Sequence, residues 1–204
     1  MVSNKPQLTI VVIAGLFGLS VASASGGPIS LEWRPASQSV VVGDTINIGL
    51  YAVSDDSVDD EISVMDVILE WDPSFMSLQG LDNNGPYNWL SSSFPATAIG
   101  GLNPDYSDGD ATYTARSQFI PPSAIATPGG LLVTTVQFLA LAETPGTMLT
   151  IPESKGLAET SVIGDIPGFD VHSSLGSAMV TITPEPASFM LLLAGATMVI
   201  RRRA

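Results

Sequence analysis

Along residues 63–72, SVMDVILEWD, the side chains alternate with a period of two. Met65, Val67, Leu69 and Trp71 share one face, and Val64, Asp66, Ile68 and Glu70 share the other. Successive side chains of a strand point to opposite faces, so the pattern predicts a strand whose wholly apolar set meets the core. Asp72-Pro73 ends it, because proline has no amide proton for a ladder and aspartate favours a turn. Extended stretches are also expected at 29–33, at 40–42 and, after a Gly43-Asp44 turn, at 45–53. At 111–119, Ala111, Tyr113, Ala115 and Ser117 oppose Thr112, Thr114, Arg116 and Gln118. Residues 131–142, LLVTTVQFLALA, read as a buried strand rich in Val, Thr and Phe. Phe75, Met76 and Leu78 return to the core on a short strand or one helical turn, and 147–151 and 177–183 complete the set.

No stretch between 26 and 183 sustains a helical period over three turns. Seven to nine short strands separated by Gly, Pro, Asn and Asp predict an all-β fold, a two-sheet β-sandwich. A barrel fits less well, since the long interruptions would have to lie between its strands. The longest interruption is 80–109, which shows no regular period; such a loop is functional or ornamental. It carries Tyr87, Trp89, Phe94 and Tyr106. These rings are candidate ligand-binding residues, since exposed aromatics stack on sugars or anchor interfaces. The alternative is that they cap the open end of the sandwich.

The two ends depart from this pattern. Residues 1–24 have the form of a signal peptide: Lys5, an apolar stretch over 8–21, and Ala22-Ser23-Ala24 as the cleavage site. Residues 184–204 begin Pro184-Glu185-Pro186, continue as an uncharged run over 187–200, and close on Arg201, Arg202 and Arg203. As a helix, that run of 14 residues spans roughly 21 Å against a bilayer core of about 30 Å. Snorkelling arginines narrow the gap and hold the C-terminus in the cytoplasm. The expected organisation is thus a signal peptide at 1–24, a sandwich domain at 25–183 and a sorting segment with a transmembrane helix at 184–204.

With the ends set aside, residues 25–183 hold three basic residues, Arg34, Arg116 and Lys155, against nineteen acidic ones, a net charge of −16. Such a body repels phosphate backbones, which argues against nucleic acid as a partner. There is no cysteine, so disulfides and thiolate chemistry are excluded. His172 is the one histidine; no activated-serine motif accompanies it, and it reads as a surface residue near a turn. Carboxylates are the abundant reactive type, clustered at 55–61 and 105–110. Glycosidase chemistry needs a pair held rigidly across a cleft, and none is evident. The reading is therefore a non-enzyme that requires no cofactor. Asp105, Asp108 and Asp110, with Asn103 nearby, are candidate calcium ligands, because hard cations take several oxygens from a tight turn. Their spacing does not match the EF-hand loop, and the alternative is a solvated acidic loop.

Two resemblances organise these pieces. VVVGDTINIGLYAV followed by MDVILEWDPSFMSLQGL, and later GGLLVTTVQFLALAETPGTMLTI, is similar in motif order to cohesin-type modules across residues 29–183. The resemblance implies a jelly-roll-like sandwich related to carbohydrate-binding modules, and a binding role with a dockerin-like or matrix protein. Recognition of extracellular polysaccharide is the alternative. The long 80–109 region departs from the compact modules. Pro184, Glu185 and Pro186, the apolar run and Arg201 to Arg203 together resemble the PEP-CTERM sorting signal. That resemblance implies processing by an exosortase-type enzyme and an inner-membrane-anchored precursor. The mature protein is then expected at the cell surface or in the extracellular matrix.

Overall fold

The computed structural model describes residues 28–185 apart from 98 and 119. Its first strands are β1 (Ile29–Arg34), β2 (Ser37–Val41), β3 (Thr45–Ser54), β4 (Asp60–Ile62) and β5 (Val64–Trp71). They are followed by β6 (Met76–Asp82), β7 (Ser91–Ser93), β8 (Asp110–Arg116), β9 (Ala124–Ala126) and β10 (Leu131–Ala140). The last are β11 (Thr144–Thr150), β12 (Ser154–Lys155), β13 (Ala158–Glu159), β14 (Ser161–Ile163), β15 (His172–Leu175) and β16 (Ser177–Thr183).

One sheet has the order β15-β1-β3-β10-β6; the other runs β2-β16-β11-β5-β8-β7, with β14 also paired to β5. Two small ribbons, β12-β13 and β4-β9, lie beside them. Pairing is antiparallel except where β15 joins β1 and β2 joins β16. The chain thus closes on itself with a parallel pair in each sheet.

The core follows from the period-two pattern. Ile46, Ile48, Leu50 and Ala52 of β3 face Met65, Val67, Leu69 and Trp71 of β5 within one buried cluster. In β10 the phase slips: Leu131 and Val133 are buried, and so are Val136, Phe138 and Ala140. A register shift between Leu132 and Thr134 accounts for this, since an extra residue in one strand re-aims the side chains beyond it. Trp71 and Phe138 meet edge to face across the two sheets, with ring centroids 5.2 Å apart.

The expected strands stand, with shifted ends, and two details go beyond the expectation. Within the interruption at 80–109, β6 continues to Asp82 and β7 occupies Ser91–Ser93. The polar SSS segment has no apolar signal and is held by backbone pairing to β8. Ile68, assigned by its phase to the outer face of β5, is fully buried there. It forms a second, small apolar cluster with Leu102 and Ala158, two residues that fold back over the outside of the sheet.

Candidate docking groove

The outer face of the seven-stranded sheet is built from cross-strand rows. Asp66 pairs with Thr114, Ile68 with Thr112, and Glu70 with Asp110 between β5 and β8. β14 adds Ser161 beside Asp66, and β7 adds Ser93 beside Thr114. The resulting row is Ser161–Asp66–Thr114–Ser93, and the neighbouring one is Ile163–Val64–Arg116–Ser91. Asp66 Oδ1 accepts the Thr114 hydroxyl at 2.5 Å.

The other two rows are covered by the β12-β13 hairpin. Ala158 packs on Ile68 and Leu102. Lys155 reaches Glu70 Oε1 at 2.7 Å and Asp110 Oδ2 at 2.8 Å. Burial opposes the Lys155 charge, but the hydrogen bonds and charges of Asp110 and Glu70 outweigh it and hold the ammonium above its ordinary value. Asp110 is placed by Gly109, whose carbonyl accepts the Trp71 amide. Gly109 has φ +88°, and a Cβ there would lie 2.4 Å from the Trp71 carbonyl oxygen, so glycine is required. Thr160 closes the hairpin. Its hydroxyl accepts the Ile68 amide at 3.1 Å and donates to the Pro152 carbonyl at 2.6 Å.

Half the face is thus sealed and half is open. The open part is a groove of about 480 Å³ whose floor carries Asp66, Thr114 and Arg116, with Thr112 of the adjoining sealed row at its edge. The hairpin, through Leu157 and Glu159, forms one wall, and the segment from Ser93 to Thr97 lies on the other side. Leu157 at the hairpin tip is 83% exposed. Sequence reasoning missed this site because its residues come from five strands and half of them are Ser or Thr. The one signal was the polar phase of β8, Thr112, Thr114 and Arg116.

The four aromatic residues of the 80–109 region pack against the core. Trp89 is buried and its Nε1 donates to the Val133 carbonyl. Tyr87 stands edge to face with Trp89 at 4.9 Å, and its hydroxyl accepts the Gln118 amide. Phe94 contacts both Tyr106 and Tyr113.

The acidic turn is also engaged within the fold. Asp105 accepts the Ser107 amide, and this bond with the Ser107 side chain holds its carboxyl below the usual range. Asp110 is buried against Lys155, whereas Asp108 is exposed. The Asn103 amide bridges Thr112 N, Thr112 O and Pro95 O. Among the described residues no three His, Asp or Glu side chains come together as a metal site.

The expectation for His172 is corrected. It follows a turn but is only 5% exposed, with Nδ1 2.8 Å from Asp170 and Nε2 3.1 Å from Glu153. Carboxylates stand on both sides to accept a ring N–H, which makes burial tolerable. Pro184 and Glu185 follow β16 directly. Residues 1–24, Pro186, the 187–200 run and Arg201 to Arg203 lie outside the described residues. Among the described residues no helix is long and apolar enough to cross a membrane.

No protein-family model and no curated protein matches the chain. Solved structures do. The chain is similar to CaCohA2 from Clostridium acetobutylicum, with a TM-score of 0.55 and 15% identity over 78% of this chain and 92% of that one. It is also similar to the cohesin module of a family 33 glycoside hydrolase from Clostridium perfringens, with a TM-score of 0.52 and 13% identity over 78% and 99% of the two chains. A third neighbour comes from the Coh-OlpA–Doc918 type I cohesin–dockerin complex of Clostridium thermocellum, with a TM-score of 0.52 and 12% identity, again over 78% and 99%. Identities this low speak to architecture alone, and that architecture is the all-β sandwich of cohesin modules.

Proposed function

We propose that this chain is an exported, non-enzymatic binding protein that docks a protein partner in the groove of its seven-stranded sheet. The observation that carries the reading is the half-open sheet face. Two cross-strand rows are sealed by the hairpin while the adjacent two are left open beside an exposed Leu157. The floor offers hydrogen-bonding groups and Leu157 an exposed apolar contact, both of which a docked protein segment can use. A neighbour of the same fold supports it, since the Clostridium thermocellum structure is described as a cohesin–dockerin complex. The single histidine is enclosed between two carboxylates, which favours a binding role over catalysis. On this reading the segment at 184–204 is a PEP-CTERM-type sorting signal, and the domain works at the cell surface or in the extracellular matrix.

The test is binding of the exported protein to immobilised dockerin modules, matrix proteins and neutral glycans. Thr114→Arg fills the groove floor, and Asn47→Arg places the same charge on the other sheet. A protein ligand that loses about tenfold or more in affinity, roughly 1.4 kcal/mol, with Thr114→Arg alone supports the proposal. Glycan binding that both arginine variants keep, with no protein ligand captured, would replace it with sugar recognition. For the tail, the intact mass of the exported protein is expected to lack Arg201 to Arg203; their retention would rule out processing.

A further inference from the structure

The three basic residues of the 25–183 body are used unequally. Arg34 pairs with Glu32 at 2.9 Å, donates to the Gly129 carbonyl and lies over the Tyr51 ring. Lys155 is held by Glu70 and Asp110. Arg116 is exposed and makes no ion pair among the described residues. Scarcity of carboxylates does not explain this, since acids outnumber bases nineteen to three in that body. Even Asp66, diagonal to Arg116 across β5 and β8, takes the Thr114 hydroxyl instead. Arg116 lines the groove, and its cross-strand register partners are half-buried Val64 and Ser91. A second polar group in the groove is also unengaged: Thr112, 5% exposed, has an Oγ1 without a hydrogen-bond partner.

Resting on the docking reading above, we propose that Arg116 binds a carboxylate side chain of the partner and so makes an acidic residue obligatory at one position of the docked segment. The planar guanidinium fork matches a carboxylate through two parallel hydrogen bonds, which fixes register as well as attraction. A single carboxylate is favoured over a polyanion, because the net charge of −16 repels extended negative charge. Asp66 and Glu159 line the same groove and accept hydrogen bonds. The partner therefore presents a hydroxyl or basic side chain near its acid. The Asp66 and Arg116 rows are one two-residue step apart, about 7 Å. That matches positions i and i+2 of an extended segment, or i and i+4 of a helix.

The experiment is selection of a displayed random-peptide library on the immobilised full chain, as wild type, Arg116→Lys, Arg116→Glu and Thr114→Arg. The wild-type pool is expected to fix Asp or Glu at one position. Arg116→Lys should keep that preference in weaker form, and Arg116→Glu should lose it or exchange it for Lys or Arg. For a synthetic wild-type-selected peptide, changing its acid to the amide should weaken binding about tenfold or more on wild type and have no effect on Arg116→Glu. An unchanged melting temperature in Arg116→Glu, whose side chain is exposed, shows that the fold is intact. Peptides blocked by Thr114→Arg but carrying no fixed acid would overturn the role of Arg116 and leave docking standing. Peptides indifferent to Thr114→Arg, or no selected peptides at all, would overturn both.

Discussion

Tyr113 carries a polar atom into the middle of the sandwich. It is fully buried, and its hydroxyl lies 2.5 Å from Ser92 Oγ. Burial pushes the phenol from 10.0 up to about 12, with Ser92 and Thr134 opposing the shift. The folded state therefore keeps a proton that the unfolded chain loses first. The associated stability is intact below about pH 10 and is lost as pH rises toward 12, on the order of 2–3 kcal/mol in all. Denaturant unfolding at pH 9 and pH 12 should show that loss, and Tyr113→Phe should flatten it. Trp71 offers the opposite case. Its indole Nε1 is buried with no hydrogen-bond partner, while its ring packs on Phe138. Trp71→Phe should therefore cost less than about 1.5 kcal/mol. Trp71→Ala should cost roughly 3–5 kcal/mol by leaving a cavity between the sheets. Equal losses from the two substitutions would show that the indole nitrogen is engaged.

The β12-β13 hairpin is held by one cation, one apolar contact and one hydroxyl, and each can be removed separately. Lys155→Ala strips the partner from Asp110, which is buried, so the change should cost about 2 kcal/mol, short of a fully buried pair because Lys155 and Glu70 are partly exposed. Its raised pKa makes the latch's contribution complete below about 10.5 and lost as pH rises from there through the folded value. Thr160→Val leaves the Ile68 amide without its acceptor and should cost roughly 1–3 kcal/mol. Hydrogen exchange at the Ile68 amide reads both changes directly; unchanged protection in Thr160→Val would show that the hydroxyl is not its acceptor. At this scale sequence and structure part company. The strands β3, β5 and β8 were legible because alternation is a local property. The cover on Ile68 was not, since it comes from Ala158, ninety positions later, in a segment with no periodic signal. The groove shares that fate, because its open and sealed halves differ only by where the hairpin folds. His172 was misplaced for the same reason: both carboxylates that make its burial tolerable are properties of the fold.

For the whole molecule, the two sheets and the acidic body were readable from pattern and composition, whereas the pairing of first and last strands was not. A net charge of −16 over 25–183 means that general repulsion outweighs the few ion pairs. Raising salt from about 10 mM to about 500 mM shortens the Debye length from roughly 30 Å to a few ångströms. The melting temperature should therefore rise, even as the Lys155 latch is screened; a fall would show that specific pairs dominate.

The strand register has a practical consequence for reporters. Ala178 of β16 lies level with Leu149, and Leu149 with Trp71, so Thr183 projects beyond one end of β5. Asp66 and the groove lie toward its other end, three strands across from β16 to β8. Counting residues along the strands separates the two points by roughly 30 Å lengthwise, and strand spacing adds about 14 Å across. A fluorophore or surface-coupling tag joined after Thr183 therefore sits at the far corner and leaves the groove unshadowed. One placed between Ser91 and Thr97 would stand at the entrance.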